Sequence, residues 1–500
     1  MRKHHPAVAV IDIGSNSARL VIYEMSSRYG FHLICEKKSK VRIGENAYEK
    51  GGYLQPVGIH RAYLALKEFI ETIKRYPVQH TLCVATSALR DAPNGKDFTQ
   101  WIHQELGLTI EIIDGKQEAT YGALAALNLL PITEGMTIDI GGGSADLALI
   151  QENQIVESFS LNLGTVRLKE LFFDKDRPLS EARAYIQKEL NQLPAHFYHA
   201  LAIGIGGTAR SISKGIMRST NYPLDKIHAF TYRYQNHQTY INNIATATRN
   251  MLPYLHLSKG RFDTIREGAL IFQMILDHIG AKKVITSGVG VREGVFLEHF
   301  LDQSNHLFPK RINPSIVSIL DRFNTPHIDI QTRQKSAKKL FLLLKKHRDL
   351  RSKHLKPLLH AIELTSLGYT FNIYDSHQHA FYATMQEFNY GVTHKEIILT
   401  AMLLRFGGKR LYEKPIYQTY QSLLPKKREL KLLSFIYTLI ITLHEHVAIE
   451  MFEFSFKNNT LTIHANDSLY LAKEKLKELD TPKKLSIHII DQEKIPPYHF

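Results

Sequence analysis

Along the first 300 residues, short apolar runs rich in β-branched residues alternate with longer stretches whose apolar residues recur at helical spacing. Val8 to Asp12 (VAVID) is such a run and predicts a buried strand. ARLVIYEM and FHLICEKK follow, separated by SSRYG, and predict a hairpin. Pro56 opens a helical pattern that runs to about Arg75. Thr81 to Ala85 predicts a strand, Phe98 to Leu106 a helix, Leu108 to Ile113 a strand and Gln117 to Leu129 a helix. The order then restarts. Met136 to Ile140 (MTIDI) repeats the first strand, and ADLALI with QIVESFSLNL predicts a second hairpin around Glu152 and Asn153. Strands at Leu201 to Ile205 and Lys283 to Thr286 complete this half. The hexapeptides DIGSNS (Asp12 to Ser17) and DIGGGS (Asp139 to Ser144) therefore hold equivalent places in two halves. That internal duplication predicts two similar α/β lobes, residues 1–130 and 131–304, with a cleft between them.

The pattern changes after about residue 305. NHLFPKRINP (Asn305 to Pro314), with two prolines, predicts a linker. Residues 315–500 read as a mainly helical region rich in lysine and histidine. It closes on two strands around Asn458 and Asn459, a charged helix from Leu469 to Leu479 and the strand KLSIHII, a small α+β unit. The apolar stretch Leu432 to Leu443 is too short for a membrane span of about 20 residues. The apolar run after MRKHH meets Asp12 too early for a signal peptide. Cys35 and Cys83 do not make a disulfide framework and are expected to be small core residues. A reducing, cytoplasmic setting without a membrane is expected.

Lysine plus arginine is 63 against 48 for aspartate plus glutamate, a net charge of +15, which favours polyanionic partners. The basic stretch from Arg333 to Lys356 has two accounts. One is the solvated face of an amphipathic helix built around Leu340, Phe341 and Leu344. The other is a track for a phosphate chain. No recognition-helix pattern or aromatic RNA-binding motif is present, so no specific nucleic-acid binding is expected.

The two DIG loops carry the chemistry. Gly14, Gly141, Gly142 and Gly143 lack the Cβ that would block a phosphate, and consecutive backbone N–H groups form an anion nest. Ser15, Asn16, Ser17 and Ser144 add donors. A third loop, Gly204-Ile205-Gly206-Gly207-Thr208-Ala209, has the letters of a dinucleotide fingerprint, but Asp225 behind it follows NYP rather than a strand. A fourth is SGVGVREG (Ser287 to Gly294), and no Walker A sequence occurs. Asp12 and Asp139 end the first strands of the two halves and should face the cleft. Asp146 lies on the adjoining hairpin strand, and Glu118 starts a helix, where favourable interaction with the helix dipole is the plainer account. Carboxylates of this kind suit magnesium and water activation in phosphoanhydride hydrolysis. Arg90 follows Thr86-Ser87-Ala88-Leu89, placed to bind phosphate oxygens or to pair with Asp91.

The stretches VAVIDIGSNSARLVIYE, VATSALRDAPN, IIDGKQEATYG, TIDIGGGSADLALI, IGIGGTARSI and ITSGVGVREGVF together resemble the exopolyphosphatase and guanosine pentaphosphate phosphohydrolase family of actin-like phosphatases. The resemblance covers the first 300 residues in family order. It implies two actin-like (ribonuclease H-like) lobes and magnesium-dependent release of the terminal phosphate of inorganic polyphosphate or pppGpp. In this likeness Glu118 matches a general base, Asp139 an acid that positions metal and water, and Arg90 a phosphate-contacting arginine. Gly14, Ser15, Asn16 and Gly141 to Ser144 match phosphate-loop positions, to which Gly206, Gly207 and Thr208 are added. Asp146 stands where the family often has glutamate, and with Asp12 and Asp139 makes up the expected metal acids. Relatives suggest a homodimer. Longer members carry a helical domain resembling HD phosphohydrolases; here Ile362 to Gly368 replaces its metal-binding pair, and His377 and His379 look like remnants of it. A non-catalytic ppGpp or pppGpp sensor and an actin-like ATPase or sugar kinase are the alternatives to the hydrolase.

Overall fold

The computed structural model describes residues 5–47, 50–323, 329–406, 414–445 and 452–492. The chain divides into two compact units, Met1–Pro314 and Ser315–Phe500.

The first unit is built on two sheets. One holds β1 (Ala7–Ile13), β2 (Ala18–Met25), β3 (Phe31–Ser39), β4 (Val78–Ala85) and β5 (Glu111–Ile112) in the order β3-β2-β1-β4-β5. The other holds β6 (Gly135–Ile140), β7 (Ala145–Gln151), β8 (Gln154–Leu161), β9 (Leu201–Ile205), β10 (Thr231–Arg233) and β11 (Lys283–Thr286) in the order β10-β11-β9-β6-β7-β8. In each, a central strand ending in aspartate pairs antiparallel with a two-strand hairpin on one side and parallel with later strands on the other. This is one ribonuclease H-like plan used twice, the two-lobe arrangement of an actin-like fold. β1 is apolar at every position but Asp12 and is buried on both faces, as a central strand requires. Glu152 (φ 49°) and Asn153 (φ 62°) are both left-handed, which suits the tight turn between β7 and β8.

Two expectations differ. β5 shrinks to two residues because only Val84 and Ala85 of β4 offer it partners. β10 was not predicted, since three residues are too few to show a period.

Packing does not follow the chain boundary at residue 130. The helix Gly115–Leu129 lays Ala119, Ala123 and Ala126 against Ala148, Ile150, Ile203 and Ile205 of the second sheet. The helix Val291–Phe300 crosses the other way. Its Phe296 lies 4.4 Å from Tyr23 and 5.0 Å from Phe31, ring centre to ring centre, and so closes the first lobe.

The second unit is helical around Lys427–Glu445, which is buried along nearly its whole length. The helix Ile330–Lys345 packs on it through Ala337, Leu340, Phe341 and Leu344 while Lys335, Lys338, Lys339 and Lys345 stay exposed. Arg333 departs from that solvated face: it is buried and donates to the His444 carbonyl at 3.1 Å. Leu364 and Leu367, within the segment Ile362 to Gly368, are buried core residues, and His379 lies against Phe371. The chain closes on β12 (Glu453–Lys457), β13 (Thr460–His464) and β14 (Ser486–Ile490), with Asn458 and Asn459 both left-handed at the hairpin turn. Among the described residues, no helix is long and apolar enough to cross a membrane.

Candidate active site

The duplicated strands deliver two equivalent loops to one cleft. In the loop between β1 and β2, Gly14 N–H donates to the Ser17 carbonyl at 3.1 Å; between β6 and β7, Gly141 N–H donates to the Ser144 carbonyl at 2.9 Å. The loops touch. A Cβ on Gly142 would lie 2.6 Å from Ser15 Cβ, so only glycine allows the approach. Ser15 is buried, its hydroxyl 3.3 Å from that of Ser87. Behind the second loop stands Gly164, at the start of the helix Thr165–Leu171. A Cβ there would fall 2.1 Å from the Gly142 carbonyl oxygen and 2.3 Å from the Gly143 nitrogen. Sequence reasoning missed Gly164, whose only signal is a lone glycine in LNLGTV.

Strand register sorts the charges. Asp12, Arg19 and Lys38 are direct partners across β1, β2 and β3. At the equivalent place in the second lobe, Asp139, Asp146 and Ser160 are direct partners across β6, β7 and β8. Residues directly opposite share a sheet face. The same rung is therefore cationic beyond its first acid in one lobe and acidic in the other.

Four carboxylates converge on this cleft. Glu118 sits in the first turn of Gly115–Leu129, whose N-cap Asp114 accepts the Gln117 N–H at 2.8 Å. Arg90 donates to Glu118 at 3.2 Å and to the Ile113 carbonyl at 3.0 Å, so it binds the acid rather than pointing free. Burial, then the charge of Asp146, pushes the Glu118 carboxyl well above the usual range, against the pull of Arg90. Burial pushes Asp139 up to about 6, opposed by Arg210, and raises Asp12, opposed by Arg292 at 4.0 Å. Asp146 is pushed up to about 7, again by burial; its two oxygens accept from Ser160 at 2.5 Å and Ser144 at 2.9 Å.

The third loop follows β9 and opens the helix Gly206–Ser219. Gly206 (φ +74°) has Asp139 Oδ1 2.2 Å from where its Cβ would be, so it seats that carboxylate against the helix start. Gly207 lies under the Arg261 guanidinium in the same way. Thr208 is almost wholly buried and packed against Gly268, its hydroxyl without a hydrogen-bond partner. Arg167 bridges the lobes, donating to Asp91 at 2.8 Å and to the Gly143 carbonyl at 2.9 Å. Arg19, Lys38, Arg261 and Arg292 were not singled out from the sequence, although Arg292 and Glu293 lie in the quoted fourth loop.

Among the described residues, no three His, Cys, Asp or Glu side chains close into a metal-holding group. Magnesium commonly takes only one or two carboxylates and fills the rest of its octahedron with water and phosphate oxygens. Asp139 and Asp12, hard oxygen donors whose burial disfavours their ionised forms, fit that use. Asp146 accepts one hydroxyl on each oxygen, from Ser144 and Ser160, and keeps a further lone pair on each, so it stays the third acid of the expected metal set.

Comparisons with known proteins agree on one group. The family model described as the Ppx/GppA phosphatase family matches residues 21–303. The chain is 27% identical to exopolyphosphatase 2 of Mycobacterium tuberculosis, over 58% of this chain and 97% of that protein. It is 27% identical to a guanosine-5'-triphosphate,3'-diphosphate pyrophosphatase of Pseudoalteromonas translucida, over 75% of each. A bifunctional 3-dehydroquinate synthase/phosphatase of Fusobacterium nucleatum is 28% identical over 58% of this chain, which spans only 46% of that relative. The crystal structure of the Aquifex aeolicus Ppx/GppA family member superposes with a TM-score of 0.51 at 29% identity, over 60% of this chain and 98% of that one.

Proposed function

Because the chain belongs to the Ppx/GppA phosphatase family, we propose that it hydrolyses the terminal phosphoanhydride of inorganic polyphosphate or pppGpp and releases orthophosphate. One observation carries the reading. A buried acid with a raised pKa, Glu118, stands beside two phosphate-type loops that meet at Ser15 and Gly142.

In this reading the amides of Ser15 and Asn16 and of Gly142 and Gly143, left free by turns that Gly14 and Gly141 close, bind the terminal phosphate. Fixed donors of this kind act by electrostatic pre-organisation, needing no rearrangement as charge develops. Glu118 takes a proton from the attacking water. A base of raised pKa is better matched to neutral pH than an ordinary carboxylate. Arg90 holds Glu118 in place by its bond to the carboxylate and fixes its own position through the Ile113 carbonyl. Asp139, seated by Gly206, orients the water from the second lobe. Magnesium held through Asp139, with Asp12 opposite, would offset negative charge on the phosphate oxygens. The reading is tested by orthophosphate release with magnesium from polyphosphate, pppGpp and ATP; no release from the first two overturns it.

The metal assignment has its own test. Acids whose folded pKa values are raised bind protons more tightly in the folded state, so stability falls as pH rises from the unfolded values near 4 through about 6 to 7. A bound cation offsets that cost only where the acids are ionised. Magnesium should therefore raise Tm at pH 8 and do so much less at pH 5. At a hundred times its dissociation constant the ion contributes about 2.7 kcal/mol. Asp139→Asn should abolish the rise at pH 8. An equal rise at both pH values, or one that survives Asp139→Asn, counts against this site.

A further inference from the structure

Each central-strand aspartate has an arginine near it, and one carboxylate interacts with both arginines. Arg292 Nε lies 4.0 Å from Asp12. Arg210 belongs to the helix Gly206–Ser219, and its guanidinium donates to the Ser287 carbonyl at 2.9 Å and to the Val289 carbonyl at 3.1 Å. A Cβ on Gly290 would lie 3.7 Å from Arg210 Nη2 and 3.9 Å from Asp139 Oδ2, so Arg210 and Asp139 both approach that glycine. Glu293, next to Arg292 in the chain, accepts the Gly290 N–H at 2.7 Å. Its other oxygen accepts from the Tyr23 hydroxyl of β2 at 2.9 Å. Tyr23 lies four residues beyond Arg19 on one face of β2, the face that Asp12 shares across the ladder. Through Glu293 the fourth glycine loop is therefore tied to the sheet of the first lobe.

The groups alternate in sign: Asp12, Arg292, Glu293, Arg210, Asp139. Arg292 and Glu293 are buried. Burial works against the Glu293 carboxylate, yet Arg292 and then Arg210 hold its carboxyl below the usual range, so it stays charged. Burial would lower the Arg292 guanidinium, but Glu293, ahead of Asp12, raises it. Arg210 is lowered by burial, opposed by Glu293 first and Asp139 second. For both arginines Glu293 is thus a stronger counter-charge than the aspartate. Glu36, 3.4 Å from Arg292, is half exposed, so water screens its charge. An arginine balanced by Glu293 leaves its aspartate freer to take a cation. Without that charge the two arginines would draw on Asp12 and Asp139 instead.

We propose that Glu293 is a positioning residue: by balancing Arg292 and Arg210 it leaves Asp12 and Asp139 free to hold magnesium, and through Tyr23 it fixes where the two acids stand across the cleft. The inference rests on the hydrolase reading and its metal assignment. Glu293 binds neither substrate nor cation in this account. It acts through the two arginines, as the outer partners of metal ligands do.

The test measures magnesium affinity from the rise in Tm at pH 8, in the full chain and three variants. Glu293→Gln keeps an oxygen for Tyr23 and Gly290 but loses the charge, and its affinity should fall by about tenfold or more. Glu293→Asp keeps the charge and should lose less than Glu293→Gln. Tyr23→Phe removes the hydrogen bond and keeps the charge; it should lower Tm while magnesium affinity stays within about threefold of wild type. Turnover is read separately. At the magnesium level that saturates the wild type, Glu293→Gln should lose about tenfold in kcat with KM for polyphosphate within about threefold, and excess magnesium should restore kcat. Unchanged magnesium affinity in Glu293→Gln overturns the assignment. So does an equal loss in Tyr23→Phe, and so does a wild type whose Tm magnesium does not move. If the wild type releases no phosphate from any substrate yet Glu293→Gln still weakens magnesium binding, the hydrolase reading fails and the role of Glu293 stands.

Discussion

Glu118→Gln should bind polyphosphate about as well as the wild type and turn it over on the order of 10² to 10⁴ times more slowly. The substitution keeps the shape of the side chain and leaves an amide oxygen to accept the Arg90 bond now 3.2 Å long. It removes the one group in the cleft placed to take the water's proton from the helix Gly115–Leu129. Single-turnover phosphate release separates the chemical step from binding. A second measurement guards against simple damage. The Glu118 carboxyl is raised by burial and by Asp146, so ionising it costs the folded state stability as pH rises. A neutral glutamine is free of that cost, and the variant should match or exceed the wild-type Tm at pH 8. An inactive protein of equal or higher Tm fits a catalytic base; turnover within about threefold of wild type removes Glu118 from that role.

Gly164→Ala should lower kcat/KM by about 10² although the residue touches no substrate. Its added methyl would sit 2.1 Å from the Gly142 oxygen and 2.3 Å from the Gly143 nitrogen, far inside contact distance. Neither atom belongs to a flexible side chain. The way out is to push Gly142 and Gly143 toward the cleft, where Ser15 of the other lobe already sits against Gly142. The displaced groups are the amides read as holding the terminal phosphate. Overpacking also costs about 1–3 kcal/mol of stability, which thermal unfolding would register. Kinetics and Tm both unchanged would mean that the loop yields without consequence, and its rigidity would then not be what serves the site.

The parts legible in the sequence were those written locally. The duplicated DIG motifs announced two central strands, and the bonds from Gly14 to Ser17 and from Gly141 to Ser144 repeat in three dimensions. Asn458 and Asn459 marked a turn because asparagine tolerates the left-handed conformation they adopt. Glu118 was visible through the IIDGKQEATYG resemblance, but its raised pKa was not, since burial and the approach of Asp146 are made by tertiary packing. Lys38 illustrates the limit. It lies 19 residues from Arg19, and only the register of β2 against β3 sets the two side by side. Thr208 shows the same limit: loop letters predicted a donor, but its depth in the first turn of a packed helix is set by tertiary contacts.

The two crossing helices set a schedule for the newly made chain. The first sheet is complete once β5 has emerged, but the aromatic face around Tyr23 and Phe31 stays bare until Phe296 and Phe300 arrive. That wait covers about 180 residues of synthesis, roughly 10 to 40 s at ribosomal rates. Meanwhile the helix Gly115–Leu129 is held without the sheet it belongs to. Each lobe lacks part of its core until the other has been made, which predicts a loosely folded nascent chain until the fourth glycine loop has been translated. Slowing translation within residues 135–290 should therefore lower soluble yield more than slowing it after residue 315.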